Sequence, residues 1–157
     1  MSYDSTGATK EHQQKVEELL TAIIRELKDR ALLHDASKLQ DPEKTIFDEY
    51  TPKLAGCTYG SEEYKGYLAE MDVALRHHYK ENRHHPEHFH GKYGIGNMNL
   101  IDVIEMICDW KAASECHADG AIYRSLEINR KRFGMSDQLV SILKNTVDYL
   151  FTKTEDV

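Results

Sequence analysis

His34 and Asp35 stand side by side in the run ALLHDASKL, where an imidazole and a carboxylate from adjacent residues at a helix end can both reach one metal ion. More residues of the same kinds are spread along the chain: His12 upstream, His77, His78, His84, His85, His88 and His90 in the middle, and Asp109 in a later helical run. Imidazoles mixed with carboxylates suit Mn, Fe, Co, Ni or Zn better than the all-oxygen shells of Ca or Mg. The expected cofactor is therefore a divalent transition metal, one ion or two. Such an ion lowers the pKa of its water and polarises a bound substrate oxygen; two ions ~3.5–4 Å apart would share a bridging water. Asp35 is then the natural bridge, with His78 and His85 on the second ion, and His84 and His77 behind them as weaker candidates. Lys38, three residues after Asp35, is placed to hold a substrate anion, and Arg76, just before the histidine pair, is a second candidate for that task.

Helices must position these residues. Val16, Leu19, Leu20, Ile23, Ile24 and Leu27 recur at three- and four-residue steps, the stripe of a helix burying one face, and His12 continues it inward one turn earlier. An unbroken helix would separate His12 from His34 by ~33 Å at about 1.5 Å per residue. Sharing an ion therefore requires a break, expected at Lys28-Asp29-Arg30, with Asp29 capping a second helix through Asp35. Asp41-Pro42 reads as the start of a helix running to about Tyr50 and ended by Thr51-Pro52. Ser61 caps a long helix with the stripe Tyr64, Tyr67, Leu68, Met71, Leu75 and His78, which leaves His77 about 100° round from the buried face.

The run RHHPEHFHGKYGIGN, with Pro86 and its glycines, reads as a loop over the site, its stretch from Gly91 to Gly96 a candidate lid. Asn99 caps the next helix, in which Leu100, Ile104, Ile107 and Cys108 are expected inward. Asp102, Glu105 and Asp109 form a separate acidic line. Glu105 could hydrogen-bond a ligand histidine from behind; Asp102 either supports the same site or favours the positive helix start. Two last helices, roughly 119–133 and 137–151 with Gly134 and Ser136 between them, supply core through Leu139, Ile142, Leu143, Val147 and Leu150.

A chain of 157 residues is expected to form a single domain, residues 1–8 flexible and 152–157 a tail. No apolar run approaches the ~20 residues of a membrane span and nothing near the start reads as a signal peptide, so a soluble, cytoplasmic protein is expected, with no membrane partner. Cys57, Cys108 and Cys116 show no CxxC spacing and are read as reduced. The net charge of −7 argues against long nucleic acid as a partner. A small anion in a locally positive pocket stays open as a partner, and so does a homodimer, since striped helices leave a face for a twofold partner.

The order His12, His34-Asp35, Asp109 resembles the H…HD…D pattern of the HD-domain superfamily of metal-dependent phosphohydrolases. HDASKLQDP, residues 34–42, is similar to the HD-GYP branch, and the middle histidines resemble that branch's extra ligands. The whole chain is similar to a small bacterial and phage group with HDxSK and HHPEH signatures. The resemblance implies an all-α, HD-like helical bundle of about six to seven helices, with His12, His34, Asp35 and Asp109 on the metal and Asp35 and Lys38 carrying catalysis. It implies hydrolysis of a phosphate ester of a nucleotide or similar metabolite. Two other readings stay open: an HD-fold di-iron oxygenase, and a non-catalytic metal- or nucleotide-binding sensor.

Overall fold

In the computed structural model the described residues are 4–58, 60–89, 94–115 and 121–151. They form an all-α protein with seven α-helices and no strand among them. His90, His117 and Cys116, residues 91–93 of the expected lid, the tail at 152–157 and the expected helix start at residue 119 lie outside the described residues. The chain divides into two compact units, Met1–His34 and Asp35–Val157.

The first unit is one helix, α1, Thr6–Leu33, unbroken over 28 residues. This corrects the expected break at Lys28-Asp29-Arg30. No residue type there forbids helical dihedrals, and Arg30 instead bonds Glu26 one turn back, as i,i+4 pairs on a continuous helix do. Val16, Leu19, Leu20, Ile23 and Ile24 are all exposed, so the stripe read as a buried face is not one, and His12 is exposed with it.

The second unit begins with a 3₁₀ turn, Ala36–Leu39, and continues through α2 (Glu43–Ala55), α3 (Glu62–Glu70), α4 (Asp72–Glu81), α5 (Leu100–Glu115), α6 (Ile122–Phe133) and α7 (Asp137–Phe151). Helix α2 packs against α4 and the 3₁₀ turn, α5 against α6, and α6 against α7. Pro52 does not end α2; it forfeits one backbone bond inside the helix, which runs on to Ala55. Ser61 caps α3 as expected, its hydroxyl accepting the Tyr64 amide at 3.1 Å. The single long helix expected from there is two, because Met71, wholly buried, leaves helical dihedrals and hands over to α4.

Helix α5 presents a different face from the one read in its sequence. Met106, Ile107, Asp102 and Ser114 are buried, whereas Leu100 is 79% exposed and Ile104 and Cys108 also face outward. The core joins Met106 and Ile107 to Ile122 and Leu126 of α6 and to Val140, Leu143 and Val147 of α7. Ile142 and Leu150, expected inward, are exposed, one step off that face. Gly134 ends α6 in the left-handed region at φ 61, and Ser136 receives the Leu139 amide at the start of α7. No helix among the described residues is long and apolar enough to cross a membrane.

Candidate metal centre

Asp35 opens the second unit at φ 55, a left-handed conformation that costs most side chains energy and that Asp tolerates. That turn sets its carboxylate beside histidines carried by α4 and by the segment after it. His78 Nε2 lies 3.3 Å from Asp35 Oδ1 and 2.9 Å from His85 Nε2, and His84 Nε2 lies 3.4 Å from the same Oδ1. One ligand-type atom from each of Asp35, His78, His84 and His85 lies within 4.8 Å of all the others. A tetrahedral ion with bonds of about 2.0–2.2 Å separates its ligands by about 3.4 Å. The spacing fits a transition metal.

The rings are aimed from behind. His78 Nδ1 meets Glu43 Oε2 at 2.8 Å, and His84 Nδ1 meets Glu105 Oε1 at 3.0 Å. Carboxylates on Nδ1 fix ring orientation and present Nε2 to the centre, the arrangement found behind metal-bound histidines. Glu43 is wholly buried in the first turn of α2; it also takes His77 Nδ1 at 2.7 Å and the Ser37 hydroxyl at 3.0 Å. Asn82 in turn donates to Ser37 Oγ and to the His78 carbonyl, both at 2.8 Å. Burial and the neighbouring His84 and His78 push His85 down to about 3, against the pull of Asp109 and Asp35. Burial alone would raise Asp35, but the edges of His78 and His84 and the Lys38 ammonium outweigh it and hold the carboxyl well below the usual range.

The acidic line of α5 has its explanation here. Asp102 takes Arg83 through both carboxylate oxygens, at 3.2 and 3.0 Å, Glu105 takes His84, and Asp109 lines a cavity with His85. Two acids on successive turns thus meet two successive residues, Arg83 and His84. Asp102 and Asn99 also cap each other's backbone amides, at 3.0 and 2.9 Å, which pins the start of α5 to Arg83.

The remaining candidates are placed as follows. Lys38 donates to Asp35 Oδ2 at 2.6 Å and sits over the Phe47 ring. His34 caps the end of α1 and is bonded in sequence to Asp35. His12, on the same unbroken helix, is ~33 Å from His34 along the axis, so the condition set for the two to share an ion is not met. His77 is turned to Glu43 and is not in the cluster. Arg76 is 72% exposed and pairs with Asp72 one turn back, so it is not placed at the centre. His88 donates from Nδ1 to the Tyr79 carbonyl at 3.1 Å.

Glu43, Ser37, Asn82 and Arg83 were not read from the sequence as part of the site. For Glu43 the only local signal is an acid in a first turn, which helix electrostatics explains without a site. The Asn99-x-x-Asp102 spacing was a legible capping signal. The model of a family of unknown function (DUF5662) matches residues 1–149. The chain belongs to DUF5662. No curated protein and no solved structure matches it. The match spans the whole of α1 and the cluster, so for DUF5662 the chemistry must be argued from these residues.

Proposed function

We propose that this DUF5662 chain is a metal-dependent phosphohydrolase that cleaves a phosphate ester of a nucleotide or similar small metabolite. The observation that carries the reading is the four-residue cluster of Asp35, His78, His84 and His85, with Glu43 and Glu105 behind two of its rings. Bound there, Mn, Fe, Co, Ni or Zn supplies an acidified water and a Lewis acid for the phosphoryl group. Asp35 and the three Nε2 atoms would hold it; the reading adds His34, next to Asp35 in sequence, and Asp109, in the cavity wall with His85, as further donors. Lys38 steadies the Asp35 carboxylate and keeps an ammonium at the edge of the cluster for a substrate phosphate. The likeness of HDASKLQDP, residues 34–42, to HD-type phosphohydrolases supports the reaction class.

The test is phosphate release from a nucleotide panel and p-nitrophenyl phosphate with each of the five metals, alongside metal content by elemental analysis. Asp35→Asn, which keeps the left-handed backbone acceptable, is expected to stay folded and to lose both metal and turnover. Tight nucleotide binding with no turnover under any metal would replace the hydrolase by a sensor. An oxygen-dependent colour change in the iron form would replace it by an oxygenase. Full metal content in Asp35→Asn would remove the site.

A further inference from the structure

Over its 28 residues, α1 has none that is buried. Val16, Leu19, Leu20, Ile23 and Ile24 share one side of it and are between 39% and 58% exposed. Helices in proteins draw most of their stability from packing such a side and little from propensity. A contiguous apolar stripe left open in this way marks an interaction surface.

The pattern of the stripe is that of a helix pair. Gln13, Val16, Leu20, Ile23, Leu27 and Arg30 follow one another at alternating steps of three and four, the 3.5-residue repeat that keeps a seam turned to a partner helix. Leu19 and Ile24 widen it on either side. The charges of the helix speak against a lipid surface as the cover. Lys10, Lys15, Arg25, Lys28 and Arg30 are matched by Glu11, Glu17, Glu18, Glu26 and Asp29, whereas a helix lying on a membrane carries a basic polar face. Along the axis the same charges are unevenly divided. Residues 6–19 hold one acid in excess and residues 20–33 one base in excess. Two copies laid antiparallel set each half against its complement, while parallel copies set like on like. The antiparallel arrangement also opposes the two helix dipoles.

We infer that α1 is a self-association face, on which a second copy of this chain lays its own α1 antiparallel. About a midpoint between Thr21 and Ala22, Val16 stands opposite Leu27 of the second copy and Leu20 opposite Ile23. Twofold symmetry makes each of these contacts twice. The same midpoint brings Glu17 of each copy to Lys28 of the other. The two residues lie about three turns apart on one edge of the stripe, ~16 Å along the axis, too far to pair within one helix. Both are exposed, and neither has an ion-pair partner among the described residues. The inference is independent of the metal centre and of the reaction proposed for it.

The experiment is sedimentation equilibrium of the full chain from about 1 to 100 µM, a range that brackets micromolar association. Wild type is expected to reach twice the mass of the chain. Leu20→Glu puts a charge in the middle of the seam at an exposed position, and is expected to be monomeric with its helical circular dichroism retained. Glu17→Lys sets two lysines together at both ends of the pair and is expected to weaken the dimer about tenfold or more. Adding Lys28→Glu to it is expected to restore most of the loss, which only contact between copies can do. A wild type that stays monomeric throughout the range overturns the inference, and its capture by phosphatidylcholine–phosphatidylglycerol vesicles would assign the stripe to a membrane surface instead. A dimer that Leu20→Glu leaves intact overturns it as well, because the copies would then meet elsewhere. Should Leu20→Glu fail to fold, the charge exchange decides alone: a double variant no tighter than Glu17→Lys overturns the antiparallel pairing.

Discussion

Glu43 holds more of the site than any residue that would touch the ion. It accepts from His77, His78 and Ser37 at once and has no exposure. Glu43→Leu removes the acceptor for all three donors and is expected to cost about 2–4 kcal/mol in urea unfolding. Metal affinity, measured by titration, is expected to fall about 10–100-fold. Acid sensitivity belongs to the same scale. His85 titrates near 3 in the fold against an ordinary 6.5, so between those values the unfolded chain binds the extra proton and stability rises with pH. Asp35, held well below its ordinary 3.8, adds a contribution that is present above that value and lost as pH falls beneath it. Chelated protein is therefore expected to lose stability from about 6.5 downward, and His85→Leu to flatten the upper part of that slope. A wild-type unfolding midpoint constant from pH 7 to 4 would contradict the depressed imidazole.

At the scale of elements, the site depends on how the segment 83–89 is clamped. Helix α5 grips it from one side through Asp102 and Glu105, and the turn Gly94–Asn97 closes on it from another. Gly94 permits that approach. A Cβ there would stand 2.5 Å from the Pro86 carbonyl oxygen, backbone against chain, with no flexible side chain to yield. Gly94→Ala is expected to lower stability by about 1–3 kcal/mol and to weaken metal binding with it, as thermal melts with and without metal will show. Asn99→Ala removes one half of the reciprocal cap and is expected to cost about 1 kcal/mol, with little effect on the ions. The caps and stops were legible in the sequence because each is a local chemical event: Ser61, Gly134 and Ser136 act within one turn of themselves. The inward faces of α5 and α7 were less so, because Leu100, Ile142 and Leu150 look as apolar as Ile107 and Leu143 and only packing distinguishes them.

For the molecule as a whole, the all-α class followed from periodicity, and the middle histidines were recognised as a set before their order was known. Which of them converge could not be read, since the choice depends on the break at Met71 and on Glu43 arriving from a distant helix. His78 and His85 are in the cluster, His84 stands with them, and His77 serves Glu43 instead. The break expected in α1 had no breaker residue to make it, and with an unbroken helix His12 lost its geometric claim. Because the cluster draws on the chain from residue 35 to 85 and is braced from residue 105, the ion is expected to stabilise the second unit as a whole. Free metal at about 100 times its dissociation constant adds about 2.7 kcal/mol, visible as a raised melting temperature that chelation reverses. Asp35→Asn is expected to melt at the same temperature with and without metal.

Asp35 lies where two independent filters on sequence overlap. Its backbone, at φ 55, passes glycine, asparagine and aspartate with little penalty and charges most other side chains about 1–2 kcal/mol. Its place between His78, His84 and Lys38 passes only a short carboxylate. A saturation library at this codon should therefore return three residues when selected for undiminished stability and one when selected for bound metal. Glutamate, the usual conservative exchange, should be missing from both lists.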